Sequence, residues 1–151
     1  MSYTTKIKDE ISKIDNTESE SIAELSAFIR NNGYIENNSL YLTTENINIL
    51  NRLTKFLTNI YDVKVELEKK DNLNFSKKKL NVIKITDKVS YILQDIGFYS
   101  KDNIYLESPP NYIVGANEEI RAYLRGVFLC QGSINDPESS YHMELLVDKP
   151  N

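Results

Sequence analysis

The sequence predicts an α+β fold made of one αββαββα repeat followed by the start of a second. Three observations predict it. Apolar residues switch between the spacing of three and four that suits a helix and the alternation that suits a strand. Two polar turns, one in 34–44 and one in 63–86, are each flanked by short alternating stretches, as in hairpins. A shift of 99 residues carries "LSAFIRNNGYI" onto "LRGVFLCQGSI", Gly33 onto Gly132 and Ala27 onto Gly126. The two helices read as copies of one unit.

The elements follow in order. "TTKIKDEISKI" spaces Ile7, Ile11 and Ile14 as one helical face behind a threonine cap, giving a helix over 4–15. After the polar joint "DNTESE", "SIAELSAFIRNNG" sets Ile22, Leu25, Phe28 and Ile29 on one face and stops at Gly33. "YIENNSLYLTT" places an Asn-Asn-Ser turn between two strands. "ENINILNRLTKFLTNIY" is the third helix, striped by Ile47, Leu50, Leu53 or Thr54, and Leu57. "VKVELEKK" alternates Val63, Val65 and Leu67 as a strand, and "LNVIKIT" returns with Leu80, Val82 or Ile83, and Ile85. "DKVSYILQDIGF" is a further amphipathic helix. "YSKDNIYLESPPNYIVG" reads as a linker, because Pro109 and Pro110 fit neither a helix interior nor a central strand. The second copy opens with "RAYLRGVFLCQG" and continues to a strand at "YHMELLV". The chain divides into an N-terminal helix at 1–17, the first repeat with the start of the linker at 18–107, and the linker end with an incomplete second repeat at 108–151.

Within the last helix, Gly126 costs about 1 kcal/mol relative to alanine, so a close contact selects it. Ala27 is the equivalent small residue of the first copy. Two helices whose axes approach closely need a small residue from each, which pairs Ala27 with Gly126. A local contact within its own repeat is the alternative. Gly132 reads as a helix end, where glycine commonly stands when the chain must turn left-handed, and Gly33 as the stop of the first copy.

A chain of 151 residues, 40% hydrophobic, suits one domain with a real core. No apolar run reaches the roughly 20 residues of a membrane span, and the N-terminus carries charges where a secretory signal needs an apolar core, which gives a cytoplasmic expectation with no membrane partner. One cysteine, Cys130, and one histidine, His142, make neither a disulfide nor a zinc pattern, so no metal and no cofactor is expected. A net charge of −4 excludes a globally basic nucleic-acid binder and leaves room for a local basic surface. That surface is the second hairpin. Lys69, Lys70, Lys77, Lys78 and Lys79 flank a loop with Asn72 and Asn74, a set suited to phosphate contacts with amides for base edges. A solvated hairpin is the alternative. Cys130 reads as packing, His142 as a surface or hydrogen-bonded residue, and Asp136 as turn chemistry before Pro137.

The paired "LRGVFLCQG" and "LSAFIRNNG" resemble the helices of LAGLIDADG homing endonucleases. More closely, "AYLRGVFLCQGSINDPESSYHMEL", "SYTTKIKDEI" and "IAELSAFIRNNG" resemble the amino-terminal half of the WhiA family of bacterial regulators (DUF199). The resemblance implies a degenerate LAGLIDADG-like fold in a DNA-binding transcriptional regulator of sporulation and cell division, located at the nucleoid. It also implies that the target is read mainly by a helix-turn-helix domain absent from this chain. This sequence carries Ser19, Glu20, Glu118 and Glu119 where double cysteines often precede the family's motif helices.

The nucleases place one carboxylate at the end of each motif helix to hold divalent metal beside the scissile phosphates. Here the resemblance puts Asn32 and Gln131 at those positions, and Arg30 and Leu129 at the other acidic position of the motif. Amides supply neither the charge to hold a hard cation nor a base for water. The expectation is a retained scaffold without catalysis, contacting DNA weakly or binding a protein partner. An unfinished second repeat adds an expectation of self-association through "YHMELLV" or by exchange of the second motif helix.

Overall fold

The computed structural model describes residues 3–70, 79–134 and 143–145, with side chains described up to residue 130. Helix α1 (Tyr3–Ile11) leads into α2 (Glu18–Asn32), the hairpin β1 (Tyr34–Glu36) and β2 (Ser39–Thr44), and α3 (Ile47–Tyr61). Strands β3 (Glu66–Lys70) and β4 (Leu80–Ile85), helices α4 (Val89–Asp95), α5 (Asn111–Val114) and α6 (Asn117–Gln131), and strands β5 (Gly132–Ile134) and β6 (Met143–Leu145) complete the order. The four strands of the first repeat form an antiparallel sheet in the order β1-β2-β4-β3, and β5 pairs with β6 separately. This is the mixed helix and antiparallel-sheet architecture that the sequence predicts.

The core lies between one face of the sheet and the helices. Leu40 pairs with Ile85 and Leu42 with Ile83, and these four pack with Phe28, Ile29, Leu53, Leu57, Ile92 and Ile96. Helix α2 sits at the centre, and Ser21 and the run from Ala23 to Asn31 are all buried. A one-sided apolar stripe therefore understates its burial: Ser21, Ala23, Ser26 and Ala27 are buried because neighbours approach on every side. Its start is set by a capping box. Glu20 N–H donates to Thr17 Oγ1 at 3.3 Å and Thr17 N–H donates to Glu20 Oε1 at 2.8 Å, so the helix begins at Glu18, ahead of its first apolar residue. Asn46 caps α3 by accepting from the N–H groups of Asn48 and Ile49. At the first hairpin, Asn37 and Asn38 have φ of 51° and 62°, the left-handed pair of a two-residue turn.

Three local readings change, and Gly33 gains a reason. Helix α1 stops at Ile11 rather than 15, because the carbonyls of Ser12 and Ile14 turn to accept from Arg52. Strand β3 begins at Glu66 rather than Val63; Val63 is buried in the lead-in, and all five strand residues are exposed, Leu67 included at 55%. An edge strand that projects past the helices has no inner face to bury. Gly33 is extended, with φ of −67°, and its small size is what counts: a Cβ there would lie 2.8 Å from the Ile29 carbonyl oxygen and 3.2 Å from a Leu42 methyl. The left-handed helix-ending glycine is Gly97, at φ +77°, where Phe98 N–H donates to Leu93 O and Gly97 N–H to Gln94 O. Finally, the stretch read as a linker is packed. Leu106 N–H donates to Phe98 O at 2.9 Å, Tyr99 bridges to Tyr105, and Ile113 of α5 is buried.

Candidate functional site at the ends of the paired helices

Helices α2 and α6 run against one another, and their close approach is centred on Gly126. A Cβ built there would lie 2.9 Å from Ala27 Cβ, and still nearer the backbone carbonyl oxygen of Glu24. Both residues are buried. The two C-termini therefore emerge side by side above the sheet.

At the end of α2, Asn32 bonds twice to β2. The Thr43 N–H donates to Asn32 Oδ1 at 2.8 Å, and Asn32 Nδ2 donates to Thr43 Oγ1 at 3.1 Å. A backbone N–H can only donate, so the amide orientation is fixed, with its oxygen turned to the strand. Asn32 works as a clasp between helix and sheet. Arg30, in the last turn of α2, is 5% exposed and donates to the carbonyls of Leu106 at 2.8 Å and Gly97 at 2.7 Å. Its guanidinium carbon lies 5.9 Å from the ring centroids of both Phe98 and Tyr105. Arg30 thus anchors the segment 97–106. Gln131 ends α6, and its side chain lies outside the described residues. Leu129 is buried in the core, and Cys130 is half-buried with its thiol donating to Val127 O.

Helix α1 lies beside the end of α6. Lys8 stands 5.7 Å over the Phe128 ring, and burial pulls its ammonium below the ordinary lysine value against the opposing pull of Cys130 and Glu45. Asn46 Nδ2 donates to Asp9 Oδ1 at 2.8 Å, tying α1 to the cap of α3.

The largest polar feature was missed by sequence reasoning. Glu24 of α2 is 1% exposed and accepts from Arg52 Nε at 2.6 Å, Arg52 Nη2 at 3.0 Å, Arg125 Nε at 3.0 Å and Asn16 Nδ2 at 3.1 Å. Arg52 Nη1 also donates to the Ser12 and Ile14 carbonyls, and Arg125 Nη2 to Asn16 Oδ1. One carboxylate thereby joins α2, α3, α6 and the α1–α2 joint.

The basic hairpin divides. Lys69 and Lys70 are exposed on β3 and alternate to opposite faces of the sheet, opposite Asn81 and Leu80 in register. Lys79 is exposed. Asn72, Asn74, Lys77 and Lys78 lie outside the described residues, as do Asp136 and His142. The sheet face away from the core carries the row Tyr34, Tyr41, Lys84 and Glu66, with Tyr34 stacked on Tyr41 at 4.8 Å and Lys84 5.9 Å over the Tyr41 ring. The next row across β2, β4 and β3 is Thr43, Val82 and Glu68. Charges of both signs line this face.

Comparison with known proteins follows the same architecture. The family model described as "WhiA N-terminal LAGLIDADG-like domain" matches residues 18–99, and that described as "WhiA LAGLIDADG-like domain" matches 120–151. A "Probable cell division protein WhiA" of Pediococcus pentosaceus is 35% identical over 150 residues, covering 96% of this chain and 48% of the relative. One from Listeria monocytogenes is 33% identical, covering 96% of this chain and 46% of the relative. The chain thus spans about half the length of these curated relatives. Among solved structures, the "N-terminal LAGLIDADG domain of DUF199/WhiA" aligns with a TM-score of 0.70 at 20% identity, over 98% of this chain and 67% of that one. The "full-length DUF199/WhiA from Thermatoga maritima" aligns with a TM-score of 0.71 at 18% identity, over 99% of this chain and 46% of that one. The fold is LAGLIDADG-like.

Proposed function

The chain belongs to the WhiA family, and from that premise we propose that it is the catalytically silent LAGLIDADG-like part of a DNA-binding transcriptional regulator of cell division and sporulation, acting at the nucleoid. The observation that carries the reading is Asn32: at the end of the first motif helix, the group that would hold a metal in a nuclease is an amide whose oxygen is bonded to the Thr43 N–H. Gln131 at the second end also lacks the charge and basicity for the reaction. The scaffold then serves to present a surface.

That surface contacts DNA weakly, through the lysines of the β3–β4 hairpin, while sequence reading falls to a helix-turn-helix domain outside this chain. Such contacts follow counterion release, so affinity drops steeply as salt rises. Salt-titrated binding to duplex DNA, with the chain and its Lys77→Ala/Lys78→Ala/Lys79→Ala variant, tests this. A shallower salt slope in the variant supports it, and an unchanged slope removes the hairpin from the interface. Incubation with duplex in magnesium or manganese is expected to leave it intact; cleavage that survives repurification would overturn the silent reading.

A second reading, a protein-binding module with no DNA contact, is favoured by one observation. Glu66 and Glu68 stand on the sheet face that a nuclease lays against DNA. Absence of any salt-sensitive DNA binding would favour it.

A further inference from the structure

Between the outer face of α4, the segment 99–106 and α5 lies a cleft of about 480 Å³, within the size range of ligand sites. Tyr91, Tyr99 and Tyr112 line it together with Asp95 and Lys101. Tyr91 and Tyr112 are 60% and 63% exposed, a large outlay of aromatic surface on a soluble face. Their rings are nevertheless held. The Tyr112 hydroxyl donates to the Gln94 carbonyl at 3.2 Å, Tyr99 meets Phe98 edge-on at 4.9 Å, and Tyr91 meets Tyr61 edge-on at 6.0 Å. The cleft is shaped before anything enters it.

Its one carboxylate is Asp95, in a lining that also holds the ammonium of Lys101. This half-buried carboxylate accepts the Tyr61 hydroxyl on Oδ2 at 2.6 Å, and among the described residues no donor meets Oδ1. Burial first, and Asp95 second, push the Tyr61 phenol far above its ordinary range, so it stays a donor and keeps the carboxylate turned. An anionic oxygen beside aromatic rings suits an organic cation.

We propose that this cleft docks an arginine side chain carried by a partner protein. A guanidinium stacks on aromatic faces, is less strongly hydrated than an ammonium, and can donate to Asp95 while stacked. The same segment already meets a guanidinium on its inner side, where Arg30 lies against the touching rings of Phe98 and Tyr105 and donates to the Gly97 and Leu106 carbonyls. Lys101 in the lining repels a second adjacent cation, so the docking segment carries an isolated arginine rather than a basic run.

The test is titration of the whole chain with glycyl-arginyl-glycine and with its neutral citrulline counterpart, followed by backbone amide shifts. Saturable shifts confined to residues 91–95, 99–106 and 111–113 are expected, with the citrulline peptide about tenfold weaker. Asp95→Asn keeps an acceptor for Tyr61 but removes the charge, and is expected to weaken the arginine peptide about fivefold or more; Tyr91→Ala, at an exposed site, should weaken it without unfolding the chain. Equal binding of the two peptides, shifts elsewhere, no saturable shift, or an unaffected Asp95→Asn variant would overturn the assignment.

Discussion

Replacing Gly126 with alanine sets two physical effects against each other. Helix propensity alone makes the substitution stabilising by about 1 kcal/mol. The packing opposes it, because the new methyl would stand 2.9 Å from Ala27 Cβ and closer still to the Glu24 carbonyl oxygen, which is backbone and cannot rotate away. Carbon atoms settle at about 3.5–4.0 Å, so α2 and α6 must part by a sizeable fraction of an ångström. Parting them also stretches the 3.0 Å bond from Arg125 Nε to Glu24. Overpacking of this kind typically costs about 1–3 kcal/mol, and we expect Gly126→Ala to be destabilising by that much after the propensity gain. For a chain of this size each kcal/mol moves the melting midpoint by about 2–4 °C. Thermal unfolding followed by far-UV circular dichroism reads it directly. Adding Ala27→Gly removes one obstacle and leaves the Glu24 carbonyl, so it should rescue only part of the loss. A midpoint that is unchanged or raised in the single variant would refute the close crossing.

Glu24→Gln leaves Arg52 and Arg125 without their carboxylate in a buried site, and urea unfolding should show a loss of about 3–5 kcal/mol. Asn32→Ala strands the Thr43 N–H and should cost about 1–3 kcal/mol, whereas Asn32→Asp keeps the acceptor and should cost less; a reversed order would remove the clasp. Lys8 is pulled below 10.5 mainly by burial, so the unfolded chain binds the proton more readily and stability contributed by this group rises with pH through the window up to 10.5. Lys8→Met should therefore raise the melting midpoint at neutral pH, with an advantage that shrinks toward pH 10.5; a pH-independent difference would discount the titration.

Elements with their own local signals were legible in the sequence. Asn-Asn announces the first hairpin, and the Ala27/Gly126 equivalence follows from the repeat. Boundaries went astray where tertiary contacts overrode local preference, as at 12–15, where carbonyls serve Arg52 in place of a last helical turn. Glu24 was missed because a charge within a helix reads as solvent-facing. The available signal was its setting among Ser21, Ala23, Ser26 and Ala27, small residues that mark crowding on every side, but the partners Arg52 and Arg125 lie 28 and 101 residues away. Sequence spacing carries no trace of such a meeting. The packed state of 99–115 was hidden likewise, since its prolines look like breaks until Pro110 is seen seated against Gly97.

The bond between Glu24 and Arg125 joins positions that the repeat does not equate. Under the same shift Glu24 corresponds to Tyr123 and Arg125 to Ser26, and Ser26 turns instead to donate to Ile96 O at 2.7 Å. The dyad between the two helices is chemically broken. A first repeat meeting another first repeat would set Glu24 opposite Ser26 and bury a carboxylate without its Arg125. During synthesis, at about 5–20 residues per second, α2 waits several seconds on the ribosome for the helix about 100 residues behind it. A first repeat that met another in that interval would keep Arg52 on its Glu24 and lack Arg125.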